Sequence, residues 1–176
     1  MNPTPDRLIL AGARLFDGSG FEPVVERAVV VERGRIGALI PEGRHPAEAT
    51  VLRLDGLTLL PGLINCHIHL CLGAEADPVR ALAEEPPAAT AIKAVVRARQ
   101  TVAAGVTTVR DLGGRDGVAL AVRDAVRAGL VPGPRVLAAA QGICMTGGHG
   151  WRFAREADGP DEVRRAVREQ LKAGAD

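Results

Sequence analysis

The second part of the chain alternates short apolar runs with helical segments that end at glycine, and this alternation restricts its fold more than any other feature. Residues 106–112 are predicted to form a strand, and residues 118–128 a helix that ends at Gly129. A strand over residues 135–140 and a helix over residues 161–173 follow. Such a succession favours parallel β/α units, with the helices packed against the sheet.

An earlier helix is predicted just before the strand over residues 106–112. Thr90 is a suitable N-cap for it, and Gly105 is a suitable stop. The apolar residues between these two positions recur near helical spacing, at Ile92, Val95, Val96 and Val102. With a preceding strand, this helix completes three strand–helix units.

The first part of the chain carries a different pattern, in which short apolar runs are separated by turn residues. Residues 28–31 and 36–40 flank the sequence ERGR at 32–35, which predicts a hairpin whose glycine takes a positive φ. We therefore expect a small β-sandwich domain over residues 1–60. An α/β domain over residues 61–176 follows it.

One apolar segment at the start of the second domain carries two histidines. Residues 59–70 read LLPGLINCHIHL, where Pro-Gly predicts a turn and the apolar run behind it a strand buried on both faces. Alternate side chains of a strand point the same way, so His67 and His69 share a face with Asn65 beside them. Buried imidazoles are costly unless they are paired or bound to metal. The segment predicts a metal site at His67 and His69, although a bare His-x-His also occurs by chance.

Composition and charge argue against several classes of protein. Lys and Arg number 22 and Asp and Glu 21, which gives a net charge of +1, and aromatic residues make up 2%. This balance supports neither nucleic acid nor a membrane surface as a partner, and it leaves few rings for base stacking. No apolar run reaches the roughly 18 residues of a membrane span, and no export signal is visible. Cys66, Cys71 and Cys144 match no disulfide or zinc framework, so we expect reduced thiols in a cytoplasmic protein.

Arg110 and Asp111 end the predicted strand over residues 106–112, at the edge where barrel enzymes place their chemistry. Two roles are open for them: contact with a substrate, or pairing with neighbours and capping of the next helix, which is the commoner outcome. His45, in contrast, lies in a polar loop and is expected to be a surface residue.

A glycine-rich loop follows the predicted strand over residues 135–140. Residues 141–151 read QGICMTGGHGW, and their glycines allow close approach of the backbone to a ligand. His149 lies among these glycines, near the only tryptophan, Trp151. His149 is a candidate substrate-binding residue; the alternative is a histidine that only fixes the loop.

Two of these segments resemble one enzyme family. LPGLINCHIH at residues 60–69 resembles the first barrel strand of the amidohydrolase superfamily of metal-dependent hydrolases. TGGHG at residues 146–150 is similar to a loop in the branch that contains imidazolonepropionase-like enzymes and Xaa-Pro dipeptidases. The resemblance covers essentially the whole chain. It implies a small β-sandwich domain followed by the first three β/α units of a TIM-like (β/α)8 barrel, which is incomplete here because a closed barrel takes about 250 residues. We therefore expect the amino-terminal part of a longer enzyme.

The resemblance also implies a cofactor and roles for individual residues. His67 and His69 would bind one or two divalent ions, usually zinc, and His149 would contact the substrate carbonyl or carboxylate. In the family, a carboxylated lysine, further histidines and an aspartate of later strands complete the site. Lys172 lies in the third predicted helix and is not assigned the lysine's role. Asn65 stands where many members have aspartate, which removes one charge near the metal.

The expected function is therefore hydrolysis of a C–N bond in an amide or a peptide, including an Xaa-Pro dipeptide, by metal-activated water. The partner would be a small-molecule substrate, without nucleic acid or membrane, and a homo-oligomer is left open. The chain alone is expected to be inactive because two histidines do not complete a metal shell. The alternatives are a hydrolase of cyclic amides or esters or a heterocycle deaminase in the same superfamily, and a non-catalytic remnant.

Overall fold

The computed structural model of the protein describes residues 6–24, 26–46 and 48–176. The chain separates into two compact units, Met1–Pro61 and Gly62–Asp176. Their boundary lies at the Pro-Gly pair, where proline has no N–H to continue a β-ladder.

The first unit consists of short strands in two sheets. The strands are β1 (Arg7–Ala11), β2 (Arg14–Leu15), β3 (Arg27–Glu32), β4 (Arg35–Pro41), β5 (Thr50–Arg53) and β6 (Thr58–Leu59). Four of them form a sheet in the order β4-β3-β1-β5, and β2 pairs with β6. β3 and β4 are antiparallel, which confirms the predicted hairpin. Arg33 and Gly34 at its turn both have positive φ, 48° and 74°, as a type I′ turn requires.

The second unit alternates strands and helices. Its strands are β7 (Leu63–Ile68), β8 (Val106–Asp111), β9 (Arg135–Ala138), β10 (Ile143–Cys144) and β11 (Arg155–Glu156), and its helices are α1 (Pro78–Glu84), α2 (Pro87–Ala103), α3 (Val118–Arg127) and α4 (Gly159–Ala173). β7, β8 and β9 form a parallel sheet in that order, and β10 pairs with β11. The parallel order agrees with the β/α alternation read from the sequence. No helix in residues 6–24, 26–46 and 48–176 is both long and apolar enough to cross a membrane.

The connection between β7 and β8 holds two helices where the sequence predicted one. α1 begins after Asp77, whose carboxylate accepts a hydrogen bond from the Arg80 N–H at 3.0 Å. α2 begins at Pro87, so the prediction that Thr90 is its N-cap was wrong. Proline suits the first helical position because the N–H that it lacks would be unpaired there. Thr90 is buried in the first turn, where its hydroxyl donates to Glu85 at 3.1 Å.

The buried face of α2 is formed by small residues. Thr90, Ala94 and Ala98 are buried, whereas Ile92 and Val96 are 69% and 50% exposed. Small side chains let a helix lie close to its neighbours at the packing density of a protein interior. The core of the second unit contains Leu70, Leu82, Ala94, Ala98, Val109, Val118, Val122, Val136 and Phe153.

β7 is less buried than the sequence suggested. Leu63 and Ile64 are 51% and 67% exposed, so the prediction of a strand buried on both faces was wrong for these residues. β7 lies at an edge of the three-stranded sheet and is hydrogen-bonded to β8 alone. Ile68, near its carboxyl end, does pack against the core.

Leu82 anchors α1 because it is the only residue of that helix that is fully buried. We expect Leu82→Ala to lower the free energy of unfolding by about 2–5 kcal/mol, the usual cost of truncating a buried leucine. Urea denaturation followed by circular dichroism measures this. Ile92→Ala on the exposed side of α2 is the matched control and should change stability by no more than about 0.5 kcal/mol. Equal effects of the two substitutions would contradict the assigned packing.

Candidate active site

The two histidines of the HIH segment lie at the carboxyl end of β7 and face one cleft. The ring centroids of His67 and His69 are 5.3 Å apart. Both rings line a cleft of about 490 Å³. His67 is exposed and His69 is half-buried, so one ring is open to solvent and the other is packed. The cleft lies at the end of the sheet where parallel β/α proteins bind their ligands.

The backbone fixes the orientation of the His69 ring. Its Nδ1 lies 2.7 Å from the carbonyl oxygen of Gly113. A carbonyl oxygen can only accept, so Nδ1 carries the proton and the lone pair of the neutral ring is on Nε2. A ligand histidine is typically held this way, by a hydrogen bond from the nitrogen that does not bind the metal.

Gly113 can occupy its position only because it has no side chain. Its φ is 107°, in the region that favours glycine, and a Cβ would lie 2.8 Å from the carbonyl carbon of Gln141. The chain passes too close to the neighbouring backbone there for any other residue. The glycine that orients His69 is therefore required by the backbone geometry.

Asp111 holds the carboxyl ends of β7 and β8 together. The side chain is fully buried, and its two oxygens accept hydrogen bonds from the N–H groups of Leu70 and Gly113, each at 2.8 Å. Burial raises the pKa of Asp111 above its ordinary value, while these two N–H groups and the nearby His69 act in the opposite direction. Of the two roles left open by the sequence, the contacts of Asp111 are those of pairing within the protein.

Arg110 points away from Asp111, as neighbours on a strand do. Its Nε donates to the carbonyl oxygen of Cys66 at 2.8 Å. This contact spans β7 and β8, so Arg110 also pairs within the protein.

The glycine-rich loop after β9 brings His149 to the same cleft. His149 lines it together with Trp151, Arg152 and Phe153. The Phe153 ring packs edge-on against His69, with 5.8 Å between the ring centroids. The structure thus collects His67, His69 and His149, three residues singled out in the sequence, around one space.

Two carboxylates hold the beginning of this loop. Asp158 accepts from the backbone N–H of Thr146 at 3.1 Å, and its other oxygen accepts from the Thr146 hydroxyl. Glu156 accepts from the N–H of Gly147 at 2.6 Å. The hydroxyl of Thr146, followed by its N–H, holds the pKa of Asp158 below its ordinary value. The loop is therefore tied to the segment that leads into α4.

Comparison with known proteins identifies the family. Residues 58–176 match the sequence profile described as the Amidohydrolase family. The chain belongs to this family. It is 30% identical over 202 residues to an ochratoxinase from Aspergillus niger, a match that covers 96% of this chain and 40% of the enzyme. It is 37% identical over 62 residues to an imidazolonepropionase from Paracoccus denitrificans, which covers 34% of this chain and 16% of the enzyme.

Solved structures of amidohydrolases share the fold. A Xaa-Pro dipeptidase with methionine bound in its active site superposes with a TM-score of 0.82 at 28% identity. The match covers 97% of this chain and 45% of the dipeptidase chain. The amidohydrolase chain described here thus spans about 40% of the length of the curated ochratoxinase and 45% of this solved structure.

Members of the amidohydrolase superfamily bind divalent metal ions, and the donors present here fit part of such a site. The two imidazoles, with Nε2 of His69 free of the Gly113 contact, suit two positions of a metal shell. Within the described ranges, no group of three or more His, Cys, Asp or Glu residues is placed to hold an ion. Burial raises the pKa of the Cys71 thiol to about 11, so it stays protonated rather than becoming a thiolate ligand.

Sequence reasoning missed three parts of the site. No role was predicted for Gly113, which follows the strand predicted over residues 106–112, yet its carbonyl orients His69. Arg152 and Phe153 were not singled out, although both line the cleft. Composition could have indicated this segment. Aromatic residues make up only 2% of the chain, so Trp151 and Phe153, two positions apart, predict a segment whose side chains pack against other residues.

Asp158→Asn tests how the loop is held. An amide cannot accept from both the N–H and the hydroxyl of Thr146 as two carboxylate oxygens do, so the loop should become more mobile, which broadens its amide NMR resonances. The pKa of Asp158 is lowered in the folded protein. The ionised carboxylate therefore stabilises the loop fully above about pH 3.8, the ordinary pKa of aspartate, and this stabilisation is lost as the pH falls through the lowered pKa. The wild-type protein should show that acid transition at Thr146, and the variant should lack it there.

Asp161→Asn is the control for this substitution, because Asp161 is exposed and pairs with Arg164 within α4. It should leave the Thr146 resonance and its acid transition unchanged. An acid transition that persists at Thr146 in Asp158→Asn would contradict the assigned contact.

Proposed function

We propose that this chain supplies the first metal-binding strand and the substrate loop of a metal-dependent amidohydrolase that cleaves a C–N bond in an amide or peptide. The observation that carries the proposal is the single cleft lined by His67, His69 and His149 in a chain of this family. The substrates that we propose include Xaa-Pro dipeptides, in keeping with the similarity to a Xaa-Pro dipeptidase.

The same proposal assigns the architecture. Residues 1–60 would be the small β-sandwich domain, and residues 61–176 the first three β/α units of a TIM-like barrel. Two observations support it: β7 and β9 each have a neighbour on one side only in the described sheet, and the relatives are more than twice as long. A barrel has no free strand edge, so further strands would close it.

Four residues that line the cleft, and the carbonyl of Gly113 beside it, have proposed parts in this reaction. His67 and His69 would hold a divalent ion, in the first instance zinc, which supplies Lewis acidity and acidifies bound water. The Gly113 carbonyl keeps His69 in the tautomer that presents Nε2. Phe153 covers one edge of the His69 ring and keeps water from that side. His149 would donate a hydrogen bond to the carbonyl or carboxylate oxygen of the substrate.

A second candidate stays within the superfamily. The similarity to an imidazolonepropionase favours hydrolysis of a cyclic amide, which needs the same ion and water but a different shape of cleft. A heterocycle deaminase, an ester hydrolase and a non-catalytic remnant are the remaining alternatives. Free thiols at Cys66, Cys71 and Cys144 support a reducing compartment, and we propose the cytoplasm.

Removal of both strand histidines tests the metal site. We expect the double substitution His67→Ala/His69→Ala to abolish retention of divalent metal by the full-length enzyme, because the two imidazoles are the ligands that this strand provides. Elemental analysis after gel filtration measures it. His45→Ala, in the first unit, is the matched control and should keep the wild-type metal content. Unchanged metal in the double variant would refute the assignment.

Replacement of His149 separates substrate binding from metal binding. His149→Ala should lower kcat/KM for an Xaa-Pro dipeptide by about 100-fold, the usual effect of losing one donor to a developing oxyanion, with metal content unchanged. His149→Gln keeps a donor and should recover part of the activity. Parallel loss of metal and activity in His149→Ala would instead make His149 a metal ligand.

A further inference from the structure

The residues of this chain that line the cleft carry a net positive charge. Arg152 provides one full positive charge, and none of the nine residues that line the cleft is Asp or Glu. The carboxylate of Asp111, near His69, is buried and engaged by two backbone N–H groups. An anionic group that enters the cleft therefore meets no carboxylate in its lining.

Arg152 is also free to bind such a group. Among the described residues it forms no ion pair, whereas Arg155, three positions later, pairs with Glu169 at 3.0 Å. A guanidinium presents several N–H donors in one plane and matches a carboxylate with two parallel hydrogen bonds. Arg152 thus has unused donors at the edge of the candidate active site.

Trp151 supports the guanidinium from one side. The central carbon of the Arg152 guanidinium lies 5.5 Å from the centroid of the Trp151 ring, over its face. This cation–π contact restricts the side chain while the N–H donors, which lie in the guanidinium plane, remain available. A charged side chain that is held before its ligand arrives loses less entropy on binding.

We propose that Arg152, supported by Trp151, binds a carboxylate of the substrate, so that the enzyme acts on N-acyl amino acids and dipeptides with a free carboxyl terminus rather than on neutral amides. The proposal rests on the proposed function for the reaction and adds the residue that selects the substrate's charge. The cleft, of about 490 Å³, has the volume of a pocket for a molecule of dipeptide size. Arg152 is on this basis a specificity-determining residue.

A kinetic experiment compares a charged substrate with a neutral one. The metal-loaded full-length enzyme is assayed with an Xaa-Pro dipeptide and with the same dipeptide as its C-terminal amide. Arg152→Gln should lower kcat/KM for the acid by about 10- to 100-fold, the value of a charged hydrogen bond, mainly through KM. The amide should change by no more than about twofold, because it makes no charged contact with Arg152.

Two further variants control this comparison. Arg152→Lys keeps the charge without the planar fork and should recover part of the activity on the acid. Arg165→Gln removes an exposed arginine of α4 and should leave both substrates unaffected. Equal losses on acid and amide in Arg152→Gln would assign the residue to loop position alone, and no loss would overturn the proposal.

A binding experiment tests the carboxylate site independently of turnover. Emission that is present in the full-length enzyme and absent from its Trp151→Phe variant reports on the surroundings of Arg152 without labelling. N-acetyl-L-proline should change this emission saturably, whereas N-acetyl-L-prolinamide should bind about 10-fold more weakly or worse, and Arg152→Gln should remove the difference. Binding without turnover of either dipeptide would reject the proposed function and leave the carboxylate site standing. Equal binding of acid and amide, or none, would reject the site.

Discussion

The buried carboxylate of Asp111 is the interaction on which the second unit depends. Its two oxygens accept from the N–H groups of Leu70 and Gly113, just beyond the ends of β7 and β8, where the strands no longer pair with each other. A buried ionised group is costly without such partners, and each N–H left without an acceptor would cost about 1–3 kcal/mol. The three groups therefore stabilise one another. Asp111 therefore fixes the carboxyl ends of β7 and β8 relative to each other. As a result, the carbonyl of Gly113 faces His69.

A series of contacts connects Gly113 with the loop after β9 and connects that loop with His69. The backbone at Gly113 lies against Gln141, closely enough to exclude a side chain. The Gln141 amide donates to the carbonyl oxygen of Phe153 at 3.0 Å, and the Phe153 ring packs on His69. The ring of His69 is thus fixed from two directions, by Gly113 and by Phe153. A cleft between elements far apart in sequence is held by short-range contacts, which gives its side chains defined positions before a ligand arrives.

The sequence allowed the parallel β/α order and the β3–β4 hairpin to be predicted, because both follow from local patterns: strand–helix alternation in one case and an Arg-Gly turn in the other. Prediction from the sequence was wrong or incomplete where tertiary packing determines which residues are buried. The inward face of α2 consists of Thr90, Ala94 and Ala98, which carry little hydrophobic signal, whereas Ile92 is exposed. α1 is seven residues long, too short for a clear period.

In the candidate site, too, the sequence predicted the residues with distinctive local patterns but not the contacts between distant segments. His67, His69 and His149 were found because histidine is rare here and each stands in a distinctive segment. The contacts that orient them could not be predicted, because Gly113 and Phe153 reach His69 only through the fold. A backbone carbonyl leaves no mark in the sequence at all. Whether these histidines bind metal and substrate stays a prediction for the experiments on the full-length enzyme.

The candidate site contains a positive side chain but no free carboxylate among the residues of this chain that line it. The side chain of Asn65 is neutral, and its amide oxygen accepts a hydrogen bond from the N–H of His67 at 3.0 Å. Asp111 is occupied by two N–H groups. Neither side chain therefore offers a free negative charge to the pair of imidazoles, and Arg152 adds a positive one. A negatively charged group of a substrate would offset the charge of Arg152, whereas a neutral amide would not. The charge of the residues that this chain contributes to the cleft is thus the basis on which we propose selection by charge in addition to shape.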